Sequence, residues 1–422
     1  MTVDEVTLDK TQHREFERQW AEISRGTVDL LPEQEFREKI KRSIATGTPL
    51  RVKQGFDPTS PDIHIGHTVG LRKLKQFQDL GHQIVLIVGD YTAMVGDPSE
   101  RSSTRPMLTY EEIWRNAETY QDQFFRVLDR ERTEVRANSE WFKEMGFQEI
   151  IQLASKITVA RLLERDDFSK RMKAQTPISM HELFYPLMQA YDSVAITADI
   201  EIGATEQTFN LLAGRTIQEA YGVAPQVILT LPILVGLDGV KKMSKSLGNY
   251  IGIEESPREI FGKAMSIPDN LIYSYFELAT DITLEELREI GKSLEDPGVN
   301  PMEIKKKLAE RLVDMYHAEG DGAAARAEFE RIFSKGQLPD HMPEMTANEV
   351  RKLDLDPSKI YLVHLMTRAG MSKSNGEARK LIGGGGVTLN GEKVTDADFE
   401  FSLAGEQILK VGKRRFLKLI GD

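Results

Sequence analysis

The stretch LRVKQGFDPTSPDIHIGHTVGLRKLKQFQDLGHQIVLIVGD, residues 50–90, decides the fold. Its opening, LRVKQGFD, reads as a short strand. HTVGLRKLKQFQDL then places Val69, Leu71, Leu74, Phe77 and Leu80 at helical spacing. Gly81 follows as a stop, because glycine takes the left-handed conformation that ends a helix without steric cost. QIVLIVGD is an unbroken apolar run, the pattern of a strand buried on both faces of a parallel sheet. Strand, helix and strand in this order make one βαβ unit.

Working outward, TADIEIG reads as another strand, EQTFNLLAGRTIQEAYG as a helix ending at Gly222, and PQVILTLPILVG as a buried strand. Residues 111–196 read as a mostly helical insertion. The alternation predicts an α/β fold, a Rossmann-like doubly wound parallel sheet with that insertion, over residues 1–262. A helical domain over 263–335 follows, its clearest segments TLEELREIGKSL and PMEIKKKLAERLVDMYHAEG. Pro339, Pro343 and Pro357 mark a linker over 336–358. A small α+β module closes the chain over 359–422, with two short helices and a hairpin turning at Asn390-Gly391.

The chain has 422 residues, a net charge of −11 and no cysteine. Disulfides and thiolate metal sites are thereby excluded, and a reducing, cytoplasmic setting is expected. No apolar run is long enough for a membrane span. The charge is uneven. Residues 357–422 hold eleven Lys/Arg against seven Asp/Glu, a net of +4 that leaves −15 for the rest. A basic module on an acidic body calls for a polyanionic partner.

The chemistry gathers where the first strand meets its helix. In an open α/β sheet, ligands bind outside the carboxyl ends of the strands, and a helix N-terminus there offers N–H groups to phosphate. Gly66 lets a ligand approach the backbone. His64 and His67 lie three apart, so both rings can face one ligand. The same pair is also what a helix cap or a surface accident would give, and as a metal pair it lacks a third ligand. MSKS occurs twice, in KKMSKSLGN (241–249) and in AGMSKSNGEARK (369–380). The first copy follows a buried strand and leaves the same sheet edge, with Lys242 and Lys245 on a loop able to close on a polyphosphate. The second has Gly370 in place of a leading lysine and sits in the basic module, so it is read as coincidence.

HIGH at 64–67 followed by KMSKS at 242–246 on this fold resembles the class I aminoacyl-tRNA synthetases. With FYPLMQAYDSVAITADIEIGATEQTFN (184–210) and VGDPS, the chain is similar to the tyrosyl-tRNA synthetase family over nearly its whole length. The resemblance implies ATP-dependent activation of L-tyrosine, then transfer to the 3′ end of its tRNA. It implies Asp192 on the phenolic hydroxyl, with Tyr185, Gln189 and Asp97 around the ammonium. Asn138 would support Asp97, and Gln207 would line the same pocket. Thr59, His64, His67, Lys242, Lys245, Arg101 and Arg105 would act on the phosphates and ribose. Gly55, Asp57, Gly66, Gly203, Glu206, Met243, Ser244 and Ser246 would complete the ATP site. Mg²⁺ would accompany ATP, with no protein metal site. The resemblance also implies a homodimer, and an S4-type RNA-binding module at 359–422. There Lys373, Arg379, Lys380, Lys393, Lys413, Arg414 and Arg415 would meet tRNA phosphates, with the helical domain at the anticodon region.

Four positions depart from the pattern. Lys53 stands where many members carry a tyrosine as second partner of the phenol. Ala204 and Glu206 replace the glycine and aspartate of GGTDQ, and Glu100 replaces a glycine in DPSER. Three other readings stand beside this one: a tryptophanyl enzyme of the same fold, a shorter type of nucleotidyltransferase with an HxGH motif, and a synthetase-like RNA-binding protein without activation.

Overall fold

The structure is a computed structural model that describes residues 6–58, 63–97, 109–334, 342–412 and 415–421. Thr59, Glu100, Arg101, Arg105, Lys413 and Arg414 lie outside the described residues. The chain divides into two compact units, Met1–Gly322 and Ala323–Asp422.

The first unit is built on a six-stranded sheet of β1 (Asp29–Leu31), β2 (Arg51–Phe56), β3 (Gln83–Val88), β4 (Thr133–Ala137), β5 (Ile200–Ala204) and β6 (Val227–Leu231). Its order is β1-β6-β5-β2-β3-β4. Strands β2 to β6 pair in parallel, and β1 closes the β6 edge antiparallel. The chain lays β3 and β4 on one side of β2, then returns to lay β5 and β6 on the other. The crevice therefore opens outside the carboxyl ends of β2 and β5, where the winding changes direction.

Residues 50–90 fold as their pattern predicts. In β3, Ile84, Val85 and Leu86 are completely buried. The helix Ile65–Asp79 turns Val69, Leu71, Leu74 and Phe77 into the core and stops before Gly81, whose φ is +92°. Each such side chain contributes about 1.5–3 kcal/mol through burial. Among the described residues no helix is long and apolar enough to cross a membrane.

Residues 111–196, expected as a mostly helical insertion, are mostly helical but also contribute a strand, β4, to the main sheet. TEVRA is five residues long, carries two charges and is only half-buried, so it shows neither an apolar run nor clean alternation. In the expected linker, Glu344–Thr346 forms β7 and Ala347–Lys352 a helix, with Ala347 and Val350 buried. The Thr346 hydroxyl accepts from the Glu349 N–H while the Glu349 carboxylate accepts from the Thr346 N–H. This capping box is a local start signal that outweighs the surrounding prolines.

In the second unit, β7 pairs in parallel with β13 (Arg415–Ile420). The five-stranded sheet runs β10-β9-β12-β13-β7, where β9 is Val387–Leu389, β10 Glu392–Val394 and β12 Glu406–Val411. Asn390 and Gly391 both have positive φ at the β9–β10 turn, the requirement of a type I′ hairpin. β8 (Ile360–Tyr361) and β11 (Glu400–Phe401) form a separate pair. The helices Leu362–Arg368 and Asn375–Gly383 cover a core that includes Val363, Leu365, Ile382, Leu409 and Leu419.

The second MSKS joins those two helices. Gly370 has φ +71°, Met371 is buried, the Ser372 hydroxyl meets that of Thr367 at 3.1 Å, and Ser374 caps the next helix. Its letters serve a helix–turn–helix corner.

Candidate active site

His64 is the N-cap of the helix Ile65–Asp79. Its Nδ1 accepts from the Gly66 N–H at 3.1 Å, while its own N–H donates to Nδ1 of His67 at 3.2 Å. The rings stack with centroids 3.8 Å apart. Gly66 is required here, since a Cβ would stand 2.9 Å from the His64 ring. The helix's first N–H groups, expected to face phosphate, are all engaged. That of Ile65 donates to the Ile251 carbonyl, that of Gly66 to the His64 ring and that of His67 to the His64 carbonyl. With both Nδ1 atoms accepting, each neutral ring carries its proton on Nε2. Burial, then His67 and Lys245, lowers the His64 pKa to about 3. His67 is open to solvent on its cleft side, but the surrounding walls, then Lys245 and Lys242, lower its pKa to about 4. At neutral pH the pair thus presents two neutral N–H donors.

Both rings line a cleft of about 380 Å³ with Gly55, Asp57, Gly66, Gly203, Glu206 and Gln207. Lys242, Met243 and Ser244 form its far wall. They belong to a loop after β6 that is organised by the buried Asn249. Asn249 accepts from the Ser244 N–H at 2.8 Å, and it donates to Asp238 at 2.7 Å and to the Lys242 carbonyl at 3.0 Å. Met243 is sunk into the body, which anchors the loop between its two lysines. Lys242 stands 3.9 Å from the Glu206 carboxylate. Ser246 is exposed and meets the Ser244 hydroxyl at 2.9 Å.

A second, tighter pocket continues from Gly55, Asp57 and Gln207 toward Tyr185, Gln189 and Asp192. Its free volume is about 20 Å³, room for one water. Asp57 accepts from the Thr92 hydroxyl at 2.7 Å and from Tyr185 at 2.8 Å. Asp192 ends the pocket, buried, with Trp141 Nε1 donating to it at 3.0 Å. Its pKa is raised to about 7, first by burial and then by Glu201, against Lys53, Trp141 and Asn138. Asn138, expected beside Asp97, donates to the Thr92 hydroxyl at 3.2 Å and accepts from the Tyr91 N–H at 2.9 Å. Asp97 lies 3.6 Å from Arg165. Gln189 donates to Glu201 and accepts from Asn210, each at 3.0 Å.

In the second unit, Lys373, Arg379, Lys380 and Lys393 are exposed. Arg379 reaches the Tyr361 hydroxyl at 3.3 Å. Arg415 is tied to the Met371 carbonyl and lies 4.0 Å from Glu377.

The tRNA synthetases class I (W and Y) family matches residues 45–334, and the tyrosine–tRNA ligase SYY-like C-terminal domain matches 342–418. The tyrosine–tRNA ligase of Moorella thermoacetica is 51% identical over 406 residues, 96% of each chain. That of Thermotoga maritima is 48% identical over 399 residues, 94% of this chain and 96% of its own. The chain belongs to the tyrosine–tRNA ligases. Among solved structures, the tyrosyl-tRNA synthetase of Archaeoglobus fulgidus complexed with L-tyrosine matches with a TM-score of 0.60 at 25% identity, covering 74% of this chain and 99% of its own. A C-terminally truncated mitochondrial tyrosyl-tRNA synthetase of Aspergillus nidulans shares the fold at 20% identity and a TM-score of 0.61, covering 75% of this chain and 94% of its own.

Placement in this ligase family makes the chain an aminoacyl-tRNA synthetase and sets aside the tryptophanyl reading, since the C-terminal match is to a tyrosine–tRNA ligase domain. The sequence reading did not find the ligase's Trp141, Glu201, Asn210 or Asn249. Trp141 lies in the insertion with no periodic partner, and Glu201 is a charge inside an otherwise apolar strand. Of these four residues, that charge is the one signal the sequence carried.

Proposed function

We propose that this chain activates L-tyrosine with ATP to tyrosyl-adenylate and pyrophosphate, then passes tyrosine to the 3′ end of its tRNA. One observation carries the reading. A cleft at the winding reversal joins two neutral histidine donors and the Lys242–Lys245 loop to a narrow pocket ending in the buried carboxyl of Asp192.

The tyrosine phenol donates to Asp192, while Tyr185, Gln189 and Asp97 take the ammonium and Gln207 lines the wall. For the ammonium to enter, the Tyr185–Asp57 contact opens, since the pocket as it stands is smaller than a phenol ring. The tyrosine carboxylate attacks the α-phosphorus in line, its oxygen–phosphorus bond forming as the bond to pyrophosphate breaks. No side chain acts as nucleophile, so rate comes from positioning and from donors aimed at the charge that develops. Nε2–H of His64 meets the phosphate and His67 the ribose side. Lys242, Lys245, Thr59, Arg101 and Arg105 hold the departing pyrophosphate, and Glu206 and Gly203 hold the adenosine. Among the described residues no group of three or more His, Cys, Asp or Glu is placed to hold a metal. In this reading Mg²⁺ arrives on the ATP phosphates.

Residues 1–262 serve as the catalytic part and 263–335 as the anticodon-facing helical part. The module from 359 onward grips the tRNA through Lys373, Arg379, Lys380, Lys393 and Arg415, with Lys413 and Arg414. A cytoplasmic homodimer completes the reading. The insertion supports it, since Phe147, Ile151, Val159, Met172 and Met180 are all exposed there.

ATP–pyrophosphate exchange without tRNA, run with tyrosine, tryptophan and phenylalanine, tests the activity. Exchange with tyrosine alone, abolished in Asp192→Ala, is expected. No exchange with any of them would sink the reading and leave an RNA-binding protein.

A further inference from the structure

Behind the phenol pocket lies a pair of buried ions that the reaction as described leaves idle. Lys53 on β2 and Glu201 on β5 face each other in register, and neither reaches solvent. Lys53 Nζ stands 3.0 Å from Glu201 Oε1, and donates to the Gln189 carbonyl and the Ser193 hydroxyl, each at 2.8 Å. Glu201 accepts from the Gln189 amide at 3.0 Å through the same oxygen. Its other oxygen accepts from Ser193 at 3.2 Å and from Gln226. Both ions therefore hold one helix, Tyr185–Ala195, at positions on either side of Asp192. Apolar side chains in place of a buried ion pair often leave a protein as stable or more so. An ion pair among the Val, Ile and Leu of this sheet is thus poorly explained by stability.

We propose that the Lys53–Glu201 pair positions the tyrosine-recognition groups: Glu201 anchors the Gln189 amide and Lys53, and Lys53 is the cation that keeps Asp192 an acceptor for the phenolic proton. The inference rests on the tyrosine reading above and adds the residues that act through Asp192. Among the described residues, these groups surround Asp192. Lys53 on β2 and Glu201 on β5 act on it by charge, Trp141 and Asn138 from the segment after β4 by hydrogen bonds, and Tyr185 with Asp57 stands at the pocket's other end. Lys53 is the cation among them. Burial and Glu201 push the Asp192 carboxyl toward its protonated form, and Lys53 pulls it back. A protonated Asp192 would be a donor facing a donor, and a phenol would lose its advantage over a phenyl ring.

The two partners should then shift tyrosine binding in opposite directions along the pH axis, which a merely structural pair would not do. Glu201→Gln keeps an acceptor for Lys53 and Gln189. Its new NH₂ has a waiting partner in the unpaired Oε1 of Gln226.

The experiment is ATP–pyrophosphate exchange on the full chain from pH 6 to 8.5, with KM for tyrosine and kcat resolved separately. In the unaltered protein, KM should rise up to about tenfold per pH unit below neutrality, at steady kcat. Lys53→Gln should move that limb to higher pH. KM at pH 7 then rises about tenfold, recovers by pH 8.5, and is accompanied by a lower tyrosine-to-phenylalanine ratio. Glu201→Gln should move the limb to lower pH. Limbs unmoved in both variants, or moved the same way, would overturn the proposal while leaving the tyrosine reading intact. If Lys53→Gln does not fold, Glu201→Gln decides alone: an acid shift sustains the proposal and an unmoved limb ends it. Absence of tyrosine exchange in the unaltered chain would end both.

Discussion

The backbone N–H of His64 donates to Nδ1 of His67 across 3.2 Å, so one histidine holds the other's tautomer. In the proposed mechanism, replacing His64 by Ala removes a donor that matters most as negative charge builds on phosphate. The kcat of pyrophosphate exchange should fall about 10²–10³-fold with little change in tyrosine KM. Nitrogen-resolved NMR provides a direct check, since both rings should stay neutral, protonated on Nε2, from pH 5.5 upward.

Gly66→Ala keeps every functional side chain and should still damage the site. Its Cβ would lie 2.9 Å from the His64 ring and drive it off the cap. Misplacement of about 1 Å is enough to cost about 10²-fold in rate. Exchange kinetics should show the loss in kcat, and circular dichroism should show a folded protein.

The Lys242–Glu206 contact sets the resting place of the loop cation at 3.9 Å. If Lys242 meets the leaving pyrophosphate as proposed, Lys242→Met should lower kcat about 10²-fold. Tyrosine affinity, read by equilibrium dialysis, should be unchanged.

Asp192→Asn keeps the size of the pocket's end and removes its charge. A hydrogen bond to a charged group contributes about 1.5–3 kcal/mol, so kcat/KM for tyrosine should fall about 10–150-fold while that for phenylalanine barely moves. Competition between the two amino acids in exchange measures the ratio directly.

Arg379→Ala with Lys380→Ala should leave exchange untouched and weaken tRNA charging. The slope of log affinity against log salt should drop by about 0.7–0.9 for each tRNA phosphate that is no longer neutralised. A filter-binding salt series settles it.

The strand–helix–strand around residues 50–90 was legible because its apolar residues are dense enough to fix both periods. β4 was not, since five half-buried residues at a sheet edge carry almost no hydrophobic signal. His64 and His67 were legible as a pair, but their mutual cap was not. The expectation of free N–H groups at that helix start follows from helices in general and fails here, where one ring and two backbone carbonyls take them. Lys53 stood out only as a departure at a phenol-facing position. Three-dimensional pairing with Glu201, 148 residues away along the chain, is what gives it a partner. The two MSKS strings were separable by their surroundings, because Gly370 announces a turn and Lys242 does not.

The His64–His67 cap has one more consequence. A phosphate cradle made of peptide N–H groups is written into the backbone and cannot be edited by exchanging a residue's side chain. In the proposed mechanism the helix start hands that task to two imidazoles. The donor strength, reach and charge presented to the nucleotide are therefore open to change one codon at a time, while the sheet beneath stays as it is.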